Sequence, residues 1–113
     1  MRGKIGILGL VLLFSVPAWA GDDVESTYKT YCVSCHGTKG DGDGHAQMKV
    51  KPTAFRSPTV QNSTDEELYK AIGYGVGHKE YAHGFAERGL STKQIVDLVA
   101  YVRKLSGPSK KNK

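Results

Sequence analysis

Two cysteines and a histidine lie within five consecutive residues of this 113-residue chain, in the order Cys32-Val33-Ser34-Cys35-His36. Two thiols three positions apart, followed at once by an imidazole, form the spacing that is typical of covalent c-type haem attachment. Each thiol can form a thioether with one vinyl group of the porphyrin, and His36 is then held under the iron as its proximal ligand. The chain has no other cysteine, so the sequence offers no disulfide framework.

Two other uses of a cysteine pair at this spacing fit the sequence less well. A thioredoxin-like redox pair belongs to a βαβ context, and this chain has no strand-like alternation of apolar and polar residues. Half of a zinc site would need further ligands at motif spacing, which the chain does not supply. The motif therefore indicates one covalently bound haem c, with the two cysteines as its anchors.

The first 20 residues have the three parts of a cleavable signal peptide. Arg2 and Lys4 give it a positive start. Residues 5–16 are apolar but too few to span a bilayer comfortably, and residues 18–20 form a small-x-small cleavage site. An uncleaved membrane anchor is the alternative interpretation. A cleaved leader predicts export to the periplasm, which agrees with the motif because c-type haem is attached outside the cytoplasm.

The rest of the chain is expected to form one small domain. Residues 21–106 are predicted to be the haem-binding domain and residues 107–113 a disordered basic tail. The chain has a formal net charge of +5 but no basic stripe interleaved with aromatic residues, so nucleic acid is not an expected partner. A mildly basic surface suits docking to other proteins, with at most peripheral contact to a membrane.

Helical periodicity predicts three helices: one over residues 22–31, one that begins with a capping box at residues 63–64, and one that Ser91 opens. The last helix has apolar residues at helical steps: Ile95, Leu98, Val99, Val102 and Leu105. Residues 37–44 are rich in glycine and predict a tight turn, and residues 51–63 predict an irregular loop. Together these features predict a small all-α domain with long loops.

In these features the chain resembles the class I monohaem cytochromes c, in particular the small bacterial members. The resemblance covers most of the chain after the leader. It rests on Cys-x-x-Cys-His-Gly at residues 32–37, a Gly-Asp-Gly loop at 40–44, Lys51-Pro52-x-x-Phe55, a helix start at 64–68 and the final helix from Leu90 to Arg103. It implies a cytochrome c fold in which three or more helices wrap round one covalently bound haem.

The resemblance also implies roles for individual residues. The N- and C-terminal helices of the family cross beside the haem, which implies that Tyr28 or Tyr31 packs on Tyr101. Pro52 is expected to offer its carbonyl oxygen to the Nδ1–H of His36, which would fix the ring and its basicity. The family's function implies a one-electron carrier between redox protein partners rather than an enzyme.

The sequence departs from the family where the second axial ligand is expected. Members place a methionine there, as Met-Pro-x-Phe, shortly before the last helix, whereas this chain has Ala-His-Gly-Phe at residues 82–85. Apart from the start residue, the only methionine is Met48, on a short loop after His36. His83 adjoins the position that the methionine would take, and it is therefore predicted to be the distal iron ligand.

Other possibilities for the sixth ligand stay open. His78, beside a glycine stretch that could approach the haem, is the second candidate, and Met48 is the third; His45 lies on the glycine loop. An open sixth site would instead give a haem protein that binds a small ligand or has peroxidase-like activity, with His78 or His83 as the acid–base group. Bis-histidine ligation predicts a low-potential carrier, because a thioether raises the potential of haem iron.

Overall fold

The computed structural model describes residues 23–78 and 83–107, together with the single residues Gly6 and Gly9. Its elements in chain order are α1 (Val24–Tyr31), α2 (Val33–His36), α3 (Pro58–Asn62), α4 (Asp65–Tyr74) and α5 (Thr92–Ser106). Every regular element in this part of the chain is a helix, which confirms the all-α prediction. Apart from those two glycines, the predicted leader lies outside the described residues, as does the predicted tail beyond Gly107. None of the described helices has the length and apolar character that a membrane crossing requires.

The first and last helices pack against each other. At the start of α1 the Asp23 carboxylate accepts a hydrogen bond from the N–H of Glu25 (3.1 Å), so the cap places negative charge where the helix dipole favours it. In the middle of α1 the buried ring of Tyr28 lies on Tyr101 of α5, with ring centroids 5.0 Å apart. This contact confirms the helix pairing that the resemblance implied, with Tyr28 as the partner of Tyr101.

Capping boxes fix the starts of the two longer helices. The hydroxyl of Thr64 accepts from the N–H of Glu67 (3.1 Å), and the Glu67 carboxylate accepts from the N–H of Thr64 (2.7 Å). Ser91 and Gln94 exchange the same pair of bonds at the start of α5. Both predicted helix starts are confirmed, and the cap of α4 is the one at Thr64.

The sequence predicts an irregular loop over residues 51–63, and the structure corrects this, because α3 lies within that range. The helix begins at Pro58, whose fixed φ suits a first helical turn. The Arg103 guanidinium of α5 donates to the carbonyl of Val60 (3.2 Å) and to that of Ser63. Contacts from a distant helix therefore stabilise a segment too short to form a helix alone.

The hydrophobic core lies where α1, α5 and the loop segments meet. Its buried members are Tyr28, Phe55, Phe85, Leu90, Ile95, Leu98 and Val102. Three of them come from α5 at helical steps, which confirms the apolar face predicted for the last helix. Three of the others, Phe55, Phe85 and Leu90, come from loops, so the core depends on loop segments that must fold back onto the helices.

Candidate haem site

A cavity of about 720 Å³ opens beside this core. Pockets that hold small molecules and cofactors are commonly about 300–1,000 Å³ in volume. Every site residue that the sequence predicted lines this cavity: Cys32, Cys35, His36, Met48, Pro52, His78 and His83. His45 lies on a separate open cleft formed by residues of the glycine loop and of the segment after it.

One wall of the cavity is α2, which carries His36 at its last position. The last carbonyls of a helix have no partner within the helix. Three backbone N–H groups of the loop after α2 supply that partner. The bonds run from Gly42 to His36 (2.9 Å), from Gly44 to Cys35 (3.3 Å) and from Ala46 to Ser34 (2.7 Å). The loop therefore folds back over the cysteine–histidine motif and fixes the backbone that carries His36.

Glycine is required where this loop approaches its neighbours. A Cβ atom at Gly44 would overlap the carbonyl oxygen of Ser34. A Cβ atom at Gly42 would overlap the carbonyl oxygen of Pro52, and Gly42 also has a φ of +76°, in the left-handed region. The predicted tight turn at residues 37–44 is confirmed, and steric overlap explains why Gly42 and Gly44 must be glycines.

The His36 ring is held by stacking rather than by a hydrogen bond. Phe55 lies against it with ring centroids 4.9 Å apart and an interplanar angle of 29°. The ring nitrogen Nδ1 is buried and has no hydrogen-bond partner among the described residues. The Pro52 carbonyl, the predicted partner, lies against Gly42 in this structure. A bond from Nδ1 of His36 to Pro52 therefore stays a prediction for the haem-bound protein.

The opposite wall is built from the C-terminal end of α4 and the chain segment at residues 83–86. The last carbonyls of α4 also lack partners within the helix. Three groups of this segment donate to them: Nδ1 of His83 to Ala71 (2.7 Å), the N–H of Phe85 to Ile72 (3.1 Å) and the N–H of Ala86 to Gly73 (3.1 Å). The segment is thus a cap on α4, and His83 is one of its donors.

The bond to Ala71 determines which nitrogen of His83 is free. A carbonyl oxygen can only accept, so Nδ1 of His83 carries the proton and Nε2 keeps its lone pair. Burial lowers the pKa of His83, although the bond to Ala71 acts in the opposite direction. The ring is therefore neutral at neutral pH. A histidine that donates one ring N–H to a carbonyl and offers the other nitrogen is a usual arrangement for a metal ligand.

His36 and His83 lie across the cavity with ring centroids 6.0 Å apart and an interplanar angle of 48°. A bond between a metal ion and an imidazole nitrogen is about 2 Å long, so two imidazoles on one ion have centroids about 6 Å apart once roughly 1 Å within each ring is added. Burial, with smaller contributions from His83 and His78, lowers the pKa of His36 to about 4. Both rings are thus neutral and spaced as a pair of axial ligands would be.

The other two ligand candidates are placed differently. His78 stacks face to face on His83, with centroids 4.0 Å apart and an interplanar angle of 9°. Met48 is half-buried, lines the cavity and lies on the loop that follows the glycine turn. Both therefore lie at the cavity wall, and His83 is the candidate whose 6.0 Å ring separation from His36 suits a pair of axial ligands.

The chain matches the family described as Cytochrome C oxidase, cbb3-type, subunit III, over residues 20–102. The chain belongs to this family. It therefore contains a class I c-type cytochrome domain, which confirms the resemblance and implies covalent haem c. A comparison with curated proteins and one with solved structures gave no match.

The donors of this cytochrome c domain fit that haem. Cys32 and Cys35 line the cavity beside His36, as two thioethers and a proximal ligand require. The unpaired Nδ1 of His36 and the neutral ring of His83 are both compatible with iron ligation. The bound haem supplies an iron that changes its oxidation state by one electron.

The thiol chemistry of the cytochrome c domain differs from that of a redox-active dithiol. Burial, with a smaller contribution from Cys35, raises the pKa of the Cys32 thiol to about 12. Thiol–disulfide catalysts need the opposite shift, because the thiolate is the nucleophile. In residues 23–78 and 83–107, no group of three or more His, Cys, Asp or Glu side chains is arranged to hold a metal ion.

Two features of the site were not predicted from the sequence: the stacking of Phe55 on His36 and the role of the Ala71 carbonyl. Phe55 is part of the Lys-Pro-x-x-Phe segment, but its stacking on His36 is a tertiary contact. The Ala71 carbonyl is a backbone group, so its residue type carries no signal. The one clue is Gly75, which ends α4 with a φ of +72° and marks the preceding carbonyls as unpaired.

Proposed function

We propose that this protein is a periplasmic one-electron carrier whose single haem c has two histidine ligands, His36 on the proximal side and His83 on the distal side. The observation that carries the proposal is the 6.0 Å separation of the two rings across the cavity. Two nitrogen ligands leave no coordination site for a substrate, which favours electron transfer over catalysis.

The distal arrangement supports a low midpoint potential. The Nδ1–H of His83 donates to the Ala71 carbonyl at 2.7 Å. This bond makes the other ring nitrogen a stronger donor to iron. A strong nitrogen donor stabilises the ferric state, whereas the thioether of a methionine ligand raises the potential. We therefore infer a midpoint potential well below that of a His/Met cytochrome c.

Redox proteins are the proposed partners. The family's name connects its members with a cytochrome c oxidase. Without Arg2 and Lys4 of the predicted leader the formal net charge falls from +5 to +3, which suits transient docking to acidic protein surfaces. Export by the predicted leader would place the domain where c-type haem is attached, and contact with a membrane would be peripheral.

The test is a spectrum of the oxidised holoprotein, repeated on His83→Ala and compared with His78→Ala. The proposal expects a low-spin spectrum without the sulfur–iron charge-transfer band, and a change to high spin in His83→Ala alone. A redox titration should return a low potential. A sulfur–iron band with a high potential would contradict the proposal, and immediate binding of carbon monoxide to the reduced protein would favour an open sixth site.

A further inference from the structure

We infer that His78 is a positioning residue for the distal ligand: its ring forms the surface against which the His83 ring is held. The inference rests on the proposed function, in which His83 binds the iron. The two rings are nearly parallel, at 9°, with centroids 4.0 Å apart. An aromatic contact of this geometry restrains the plane of both rings.

His78 is itself fixed to the end of α4. Its Nδ1–H donates to the carbonyl of Val76 (3.1 Å), and its backbone N–H donates to the carbonyl of Gly75 (2.9 Å). Gly75 has a φ of +72° and turns the chain at the end of the helix. An added Cβ at Gly75 would lie 3.6 Å from Cβ of His83, so the turn and the distal segment are in close contact. The stacking surface is thus attached to the same helix end as the ligand.

The stack supplies a restraint that the hydrogen bond alone does not. The bond from Nδ1 of His83 to Ala71 fixes one atom of the ring and its tautomer, but a single bond leaves the ring plane free to tilt. The face of His78 opposes this tilt, while Phe85 contacts the same ring with centroids 5.7 Å apart and an interplanar angle of 46°. Groups that orient a ligating histidine tune the metal and its exchange with other ligands.

The same geometry argues that His78 is not the iron ligand while His83 is bound. Two stacked rings lie side by side, so they cannot both point one nitrogen along a single axis towards the iron. His83 has the 6.0 Å spacing from His36. His78 therefore lies beside the coordination axis.

The test compares the holoproteins of the wild type, His78→Ala, His78→Phe and His83→Ala. Phenylalanine keeps a flat ring for stacking but has no nitrogen for iron or for Val76. The g values of a low-spin ferric haem with two imidazoles depend on the angle between the ring planes, so electron paramagnetic resonance reports the orientation of His83. The rate of binding of added imidazole to the ferric protein reports how firmly His83 is held.

We expect His78→Ala to stay low-spin with shifted g values and to bind imidazole about tenfold faster, since loss of an orienting group commonly costs about 10–100-fold. His78→Phe should restore both readouts towards wild type, which a general loss of stability would not explain. Wild-type g values and rates in His78→Ala would overturn the positioning role alone. A high-spin His78→Phe would identify His78 as the ligand, and a low-spin His83→Ala would overturn the proposed function itself.

Discussion

His36 ends a four-residue helix that belongs to the cysteine–histidine motif, whereas His83 lies on a segment without a helix of its own. On the proximal side the loop over residues 37–46 folds back onto the carbonyls of α2. On the distal side residues 83–86 fold back onto the carbonyls at the end of the preceding helix, α4. Both histidines are thus placed by helix-end carbonyls that need partners, but His36 lies on the helix itself and His83 lies on the segment that caps one.

The two sides also differ in how the rings are restrained. The Nδ1 of His36 has no partner among the described residues and the ring stacks on Phe55. His83 has a carbonyl partner, Ala71, and a second imidazole, His78, on its face. The proximal side is therefore rigid in its backbone, and the distal side is restrained at the ring. Changes to the proximal backbone should affect haem retention and stability, and changes to the distal side should affect ligation and potential.

The largest effect is expected from replacing both motif cysteines, Cys32→Ser with Cys35→Ser. Both thioethers are lost, so the haem should no longer remain attached after denaturation. Haem staining of a denaturing gel would measure this. The matched control is Ser34→Ala, between the cysteines, whose hydroxyl makes only a long contact of 3.9 Å to the Cys35 sulfur. Covalent haem in the double variant would show that the motif does not anchor it.

The next largest effect is expected when glycine is replaced by alanine in the proximal backbone, and it can be compared at two glycines of similar conformation. Gly42 and Gly77 have φ values of +76° and +80°, so alanine carries the same left-handed cost of about 1 kcal/mol at either position. A Cβ at Gly42 would also overlap the Pro52 carbonyl, whereas nothing lies within 4 Å at Gly77. We expect Gly42→Ala to cost roughly 3 kcal/mol or more, because the backbone must move.

Denaturant unfolding of the two holoproteins measures this difference in the free energy of unfolding. If both variants lose only about 1 kcal/mol of unfolding free energy, the glycine loop accommodates the added Cβ at Gly42 without a further cost. That result would contradict the rigid proximal backbone. A large loss at Gly77 would instead show that the chain beside His78 is tightly packed.

The contrast between the two sides explains what the sequence could predict. Cys32, Cys35 and His36 are contiguous, so their chemistry follows from spacing, and the helix starts at Thr64 and Ser91 follow from local capping patterns. His83 could be proposed because it adjoins the position where the family has methionine. These features depend on neighbours in the chain, which is why a single sequence reveals them.

Other features depend on how separate turns and helices pack against each other. The role of the Ala71 carbonyl requires knowing which segment caps α4, and the stacking of His78 on His83 requires knowing how two turns meet. α3 was missed for the same reason, because Arg103 of α5 supplies its stabilising bonds. Local patterns identify the unpaired carbonyls, but only the fold selects their partners.

The smallest effect is expected from the two tyrosines of α1, which contact different sides of the site. The buried hydroxyl of Tyr28 donates to the carbonyl of Gly37 (2.7 Å), directly after His36. The ring of Tyr31 packs edge-on against Phe85 at 5.7 Å, near His83. Tyr28→Phe leaves the buried Gly37 carbonyl with only the longer bond from the N–H of Gly40 (3.3 Å), and the loss of the shorter bond costs about 1 kcal/mol. Tyr31→Phe keeps the ring contact, and since Tyr31 is 41% exposed, its loss of a hydroxyl should change stability by less than about 0.5 kcal/mol.

Thermal unfolding of both variants checks this pair, and the spectrum of the ferric protein adds a second readout. Tyr28→Phe should lower the unfolding temperature while the iron stays low-spin, because the bond acts on the backbone after His36 and not on either ring. Equal unfolding temperatures for the two variants would contradict a proximal side held by its backbone bonds. A change of ligation in Tyr28→Phe would show that the bond to Gly37 also orients the His36 ring, so that the two sides of the haem would differ less than their contacts indicate.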